Sequence, residues 1–254
     1  MREHISYSEL KIWNECAYKH KVKYLDRVKG FKGNEHTLFG TAVHDVCEKA
    51  LLTGSVDLSS YFLHRYLREV EKIKSLGVEL KPDLLCEMEA QGKSLVPAIL
   101  PAVNEAFKRY NVISTEEELY ESIDGSDIKF KGYIDLVLKV DDTYHIIDWK
   151  TCSWGWNARK KNDKILGYQL VLYKYFFSRK HGIDLKKIET HFALLKRTAK
   201  KERVEIFRVS SGNKKVENAL NLLNRANYNI AKHVSIKNRM SCKMCEFFNT
   251  EHCT

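Results

Sequence analysis

Proline and glycine are scarce, 3 and 12 in 254 residues, which excludes a collagen-like or linker-rich chain. No apolar run approaches the roughly 20 residues that cross a bilayer, so no membrane partner is expected. The opening residues MREHISYSELKIW lack the apolar stretch of a secretory signal. Internal repeats and low-complexity tracts are missing too. What remains is a globular composition, 44% hydrophobic and 30% charged, in a chain long enough to bury a real core.

Two things are in excess. Lysine and arginine number 43 against 33 acids, a net charge of +10. Such an excess favours a polyanionic partner, through phosphate neutralisation and counterion release. There are seven cysteines, an odd number without a signal, which implies a reducing compartment rather than a disulfide framework. The expected location is the cytoplasm or another reducing intracellular space, that of a host cell if the source is viral. Cys242, Cys245 and Cys253 crowd the last thirteen residues, which suggests a metal.

Helical spacing runs from Ser6 to about Tyr24 with Ser6 or Ser8 as N-cap, from Thr41 through Leu52 to a stop at Gly54, and over 58–76 and 83–110, the last interrupted by Pro97 and Pro101. The period then changes. Residues 117–123, 128–140 and 143–151 read as strands, then 152–164 as a polar basic connection and 165–180 as a helix. Strands at 189–196 and 203–209 and a helix at 213–232 follow. Helices around a central block of strands make the class α/β or α+β.

The segment 128–151 is the most informative. A two-residue loop at Asp141-Asp142 pairs Val140 with Thr143 and sets Asp135 directly opposite Asp148, with Lys150 on the same face. The reverse face, Ile134, Leu136 and Leu138 against Trp149, Ile147 and His145, is expected to be core. Two facing carboxylates in a buried sheet repel and resist desolvation. A divalent cation between them makes the arrangement sensible, and oxygen ligands favour Mg²⁺ or Mn²⁺. A plain Asp135–Lys150 ion pair with Asp148 at an edge is the other reading. Beyond Lys150, Trp154 and Trp156 stand among Arg159, Lys160, Lys161 and Lys164. Aromatic faces stack on unpaired bases and cations follow phosphates, so this loop can guide single-stranded DNA. An ordinary solvated basic loop over one packed Trp fits equally well.

Gly132-Tyr133-Ile134-Asp135 followed by Asp148-Trp149-Lys150-Thr151 resembles the G-x-x-D and D-x-K elements of the PD-(D/E)XK nucleases. More narrowly, the chain resembles their RecB-type branch, including the iron–sulfur nucleases of CRISPR adaptation and the AddB nuclease domain. Upstream, Gly40-Thr41-Ala42-Val43-His44 is similar to the family's G-x-x-x-H helix. Downstream, Gln169 to Tyr173 is similar to its Q-x-x-x-Y helix, and Ser8-x-Leu10 with Cys16-Ala17-Tyr18 to its opening helix. The resemblance spans nearly the whole chain. It implies a restriction-endonuclease-like mixed sheet flanked by helices, in one nuclease domain over 1–254: a helical subregion near 54–115, a core near 116–210 and a cysteine-clamped C-terminus.

By the same resemblance, His44, Asp135, Asp148 and the carbonyl of Trp149 hold the catalytic Mg²⁺ or Mn²⁺, and Lys150 orients or helps deprotonate the attacking water. Glu121 is expected as an additional acidic ligand, although Glu116-Glu117-Glu118 blurs which acid that is. Glu48 can share the face of His44 or be merely solvated. Gln169 and Tyr173, four apart on a helix, would line the cleft and touch DNA; Tyr173 also suits a core position beside Phe176. Cys16 joins Cys242, Cys245 and Cys253 as the fourth thiolate of a [4Fe–4S] cluster, with structural Zn²⁺ as the alternative and His20 or His252 as substitute zinc ligands. The implied activity is exonucleolytic hydrolysis of single-stranded or end-opened DNA in recombination, repair or replication, alongside proteins of those processes. A sequence-dependent endonuclease and a DNA-end-binding accessory module with vestigial catalysis are the alternatives.

Overall fold

A six-stranded mixed sheet carries helices on both faces. The computed structural model describes residues 2–54 and 57–253; the ends of the expected domain, 1 and 254, and positions 55 and 56 of its helical part lie outside them. The elements in chain order are β1 (His4–Ser6), α1 (Tyr7–Glu15), α2 (Ala17–His20), α3 (Glu35–Thr53), α4 (Leu58–Ser75), α5 (Pro82–Leu95) and α6 (Ile99–Phe107). Next come β2 (Asn111–Ser122), β3 (Lys129–Val140), β4 (Thr143–Cys152), α7 (Ala158–Lys161), α8 (Lys164–His181), β5 (Ile188–Lys196), β6 (Val204–Val209) and α9 (Asn213–Ala231). Among the described residues no helix is long and apolar enough to cross a membrane.

Apolar layers cover both faces of the sheet. On one, Val137, Ile146 and Phe192 pack with Val171, Phe176 and Phe177 of α8 and Leu223 and Ala226 of α9. On the other, Leu136, Leu138, Ile147 and Trp149 pack with Phe39, Val43 and Val46 of α3 and with α4, α5 and α6. Burial on both sides explains the consecutive apolar residues in the middle of β4 (Ile146, Ile147) and at Phe192–Leu195 of β5.

The β3–β4 hairpin turns at Asp141, which takes φ 50°, and keeps the expected register, Val140 with Thr143 through Leu136 with Ile147. There the pairing stops. The outer edge of β3 is held by β2 from Asn111 to Ser122, so β1 and β4 share its inner edge: β1 pairs with residues 129–131 and β4 with residues 136–140. Beyond Ile147, β4 continues beside β5 alone. The sheet therefore forks, and Asp135 and Asp148 are the first residues past the fork.

The expected single apolar face of β3 needs correcting here. Ile134 packs in the α8 layer with Phe130, whereas Leu136 and Leu138 pack in the α3 layer. Regular alternation would put Ile134 with Leu136, so the strand changes face at Asp135. Opposite it, Glu116 takes the left-handed φ of 48° and the β2–β3 ladder skips both residues. Such irregularities re-aim side chains.

Other departures are local. The helix expected from Ser6 to Tyr24 is broken at Cys16, whose extended backbone (φ −161°) separates α1 from α2 and the π-helical turn Lys21–Leu25. Ser6 caps α1 by accepting from Glu9 N, and α3 starts at Glu35 instead of Thr41 because Asn34 and Thr37 form a reciprocal capping box. Pro97 lies in a 3₁₀ turn (Val96–Ala98) and Pro101 in the first turn of α6, where a missing N–H costs little. Strand β2 begins at Asn111, directly after the stretch expected to be helical and six residues before the expected strand, and the basic connection carries the short helix α7.

Candidate active site at the sheet fork

Three elements deliver the polar groups. Helix α3 passes beside β4 at Gly40, whose Cα side faces Thr151: a Cβ there would stand in ordinary contact, 3.4 Å from Thr151 Oγ1. One turn on, His44 Nδ1 lies 3.8 Å from Asp135 Oδ2. Asp135 Oδ2 also accepts the backbone N–H of Trp149 at 2.7 Å, and the Trp149 carbonyl faces the His44 ring. Asp148, only 1% exposed, has Lys150 Nζ 2.5 Å from its Oδ2. That contact lacks hydrogen-bond alignment, and among the described residues the oxygen has no hydrogen-bond partner.

The electrostatics are those of a crowded anionic pocket. Burial, and then the neighbouring Asp148, push Asp135 well above the usual carboxylate range, against the opposing pull of Lys150 and the Trp149 N–H. Burial likewise raises Glu116, helped by Glu48, Asp45 and Asp148. Burial lowers His44, so its imidazole is held neutral. A neutral nitrogen among crowded, partly orphaned carboxylate oxygens fits a hard divalent cation, which removes the repulsion and satisfies the free oxygen.

The third acid is Glu116. Its carboxylate, that of Asp135 and a ring nitrogen of His44 lie within 4.8 Å of one another. This corrects the expectation for Glu121, which pairs with Phe130, five positions along β2 and roughly 17 Å away at strand spacing. The signal that could have found Glu116 is the hairpin register carried one strand further, since Glu116 falls between the partners of Leu136 and Ile134. Glu48 takes a hydrogen bond from Thr115 Oγ1 at 3.3 Å beside Glu116, so it is not simply solvated.

On the α8 side, Gln169 Nε2 donates to Tyr173 OH at 3.2 Å. Tyr173 is buried, and its phenol is raised by burial and by Asp148. It therefore packs in the core and borders the acids at once. Gly132 makes room for it: a Cβ there would stand 2.7 Å from Tyr173 Cε1. Tyr7, which sequence reasoning missed, is raised by burial and then Asp148, and its hydroxyl donates to the Ile165 carbonyl at 2.8 Å. Its signal is faint, one tyrosine directly after a helix cap.

The basic loop divides in two. Trp154 is 78% exposed, and Arg159 and Lys160 are exposed near it. Trp156 is not a free stacking face: it packs edge-on against Phe192 and Phe207 at 5.2 and 6.3 Å, with Lys160 over its ring. Lys161 is not free for phosphate either, since it pairs with Glu205. The apolar rings of β5 and β6 claim Trp156 because they offer more burial than the loop does.

The cysteines Cys16, Cys242, Cys245 and Cys253 line one cavity. Backbone N–H groups of Asn238 and Lys19 point at Cys16 Sγ, at 3.3 and 3.5 Å. The C-terminal segment is fastened there by Asn238 Nδ2 to the Glu15 carbonyl (2.9 Å), Tyr18 OH to the His252 carbonyl (3.2 Å) and Lys23 to Glu246 (2.9 Å). His20 does not take part as a substitute ligand: it is buried, with Nε2 2.7 Å from Glu9.

The family model for the PD-(D/E)XK nuclease superfamily matches residues 4–250. The chain therefore belongs to that superfamily and is a nuclease by family. Among solved structures it is similar to a "Putative exonuclease" from Eubacterium rectale, at TM-score 0.63 and 15% identity, over 96% of this chain and 87% of that one. It also aligns with the structure described as SSO0001, at TM-score 0.38 and 16% identity, over 85% of this chain and 96% of the other. A search of curated proteins gives no match.

Proposed function

We propose that this chain is a metal-dependent deoxyribonuclease acting as an exonuclease on single-stranded or end-opened DNA. One observation carries the reading: buried Asp148 and half-buried Asp135 flank the fork in the sheet, close enough to repel, with Lys150 beside Asp148 and the neutral His44 beside Asp135. His44, Asp135, Asp148, Glu116 and the Trp149 carbonyl would hold Mg²⁺ or Mn²⁺. When bound, such an ion supplies a Lewis acid and lowers the pKa of a coordinated water. Lys150 Nζ, at 2.5 Å from Asp148, holds a positive charge where a water attacking phosphorus and the developing phosphorane charge must both lie. As the water oxygen bonds to phosphorus, the opposite P–O bond breaks in line. Gln169 and Tyr173 present their polar ends on the α8 wall, and Trp154, Arg159 and Lys160 lead a strand toward it. The name of the Eubacterium rectale structure favours end-directed cleavage, and the net charge of +10 favours a nucleic-acid substrate; a place in recombination, repair or replication follows from the resemblance to the RecB-type branch alone.

The four cysteines, in this reading, hold a [4Fe–4S] cluster, with structural Zn²⁺ as the alternative. Two backbone N–H groups directed at Cys16 Sγ are hydrogen bonds of the kind that cluster-ligating sulfurs accept. Cys245→Ser should give colourless, poorly soluble protein; an unchanged visible spectrum, iron content and melting point would refute the role of Cys245 as a ligand.

The decisive assay uses end-labelled linear and closed circular oligonucleotides, single- and double-stranded, with Mg²⁺, Mn²⁺ or chelator. Linear single strands should be degraded from their ends by the wild type, circles spared, and Asp148→Ala inactive. Nicking of circles would indicate an endonuclease. Binding of ends without any product would indicate an accessory module.

A further inference from the structure

We propose that His145, Glu189 and His191 form a second metal site, for a borderline transition dication such as Zn²⁺, on the opposite face of the sheet from Asp148. His145 of β4 pairs with Glu189 of the parallel strand β5, and His191 follows two positions on, so all three side chains share a face. Asp148, three residues after His145, projects the other way, beside Tyr7 and Tyr173 of the α8 layer.

The three donor atoms form a triangle. His145 Nδ1 is 3.1 Å from His191 Nε2, and each nitrogen is 3.8 Å from Glu189 Oε2. The point equidistant from all three is about 2.1 Å from each, the length of a Zn–N or Zn–O bond. Two imidazoles and one carboxylate leave a fourth position open, and nitrogen donors select Zn²⁺ over Mg²⁺.

The surroundings prepare the donors. Burial lowers both imidazoles, His191 to about 3, so both are neutral with a lone pair available near pH 7. Arg208 Nη2 forms an ion pair with the other carboxylate oxygen, Oε1, at 2.9 Å, which draws that oxygen away and leaves Oε2 toward the two imidazoles. Phe107 lies against both rings, at centroid distances of 5.1 and 5.3 Å, and restricts their rotation. A metal there would tie β4 to β5 upstream of the fork.

Zinc titration of the full chain, kept in excess Mg²⁺ to occupy the acids at the fork, tests this. Wild type should bind one equivalent that Glu189→Gln and His145→Gln each weaken by about a hundredfold or more, with any zinc on the cysteines common to all variants. Crystals soaked in Zn²⁺ should show anomalous density equidistant from the three atoms. If the variants melt like wild type without zinc, they are folded, and the comparison stands. Unchanged zinc affinity in Glu189→Gln, or no anomalous density between the three side chains, overturns the proposal and leaves a His–His hydrogen bond with a carboxylate beside it.

Discussion

Tyr173 Cε1 occupies the space that a side chain on Gly132 would need, 2.7 Å from the ideal Cβ position. The glycine of the G-Y-I-D segment is thus a seat for the tyrosine that borders both acids at the fork. Gly132→Ala should force the ring outward and cost roughly 1–3 kcal/mol of stability by overpacking. Cleavage should fall about tenfold or more while metal affinity, measured by calorimetry, changes little.

The acids at the fork are mutually repulsive without a cation. Asp135→Asn should therefore stabilise the metal-free protein by about 1 kcal/mol, a few degrees of melting temperature in a chain this long, while abolishing cleavage. Glu116→Gln should weaken Mg²⁺ or Mn²⁺ binding, and Glu121→Gln should not. Thermal melts in chelator and metal titrations check both halves.

The two tryptophans of the basic loop should separate cleanly. Trp154→Ala should weaken single-strand binding by roughly 1–3 kcal/mol without changing the melting temperature. Trp156→Ala should instead destabilise the fold by about 3 kcal/mol, since it removes a ring packed on Phe192 and Phe207. Fluorescence anisotropy with labelled oligonucleotides, beside melts, tells them apart.

Glu117 gives the fold a pH dependence. Burial would raise its carboxyl, but hydrogen bonds from Ser114, His181 and Lys180 outweigh burial and hold it below the usual range. The ordinary value, about 4.3, applies unfolded, so this stabilisation is complete above that pH and disappears as pH falls through the lower folded value. Glu117→Gln should cost about 1 kcal/mol at pH 7 and much less near pH 3 in denaturant titrations.

Much of this was legible in residue order. The hairpin register followed from Asp141-Asp142 alone, and the helix stop at Gly54 from glycine at the C-cap. What failed to read was whatever depends on contacts distant in sequence. Strand β1 is three residues long and exists only because β3 offers an edge. The switch of face at Asp135 and the left-handed Glu116 are imposed by three strands meeting at β3. Trp156 looked like a nucleic-acid platform until the rings of β5 and β6 were placed beneath it. The resemblance points to an acid on this strand but leaves Glu121 and the Glu116–Glu118 run unresolved; the pairing of β2 with β3 is what sets Glu116 opposite Asp135.

Neighbouring strands normally lie about 4.8 Å apart with their amides joined, which leaves no opening for a guest. This protein makes an aperture within a continuous layer by letting one strand part from its partner while a second, only His4–Ser6, takes over the vacated edge further along. That short strand works as a wedge: it keeps the gap from zipping shut and keeps unsatisfied amides from inviting a foreign chain.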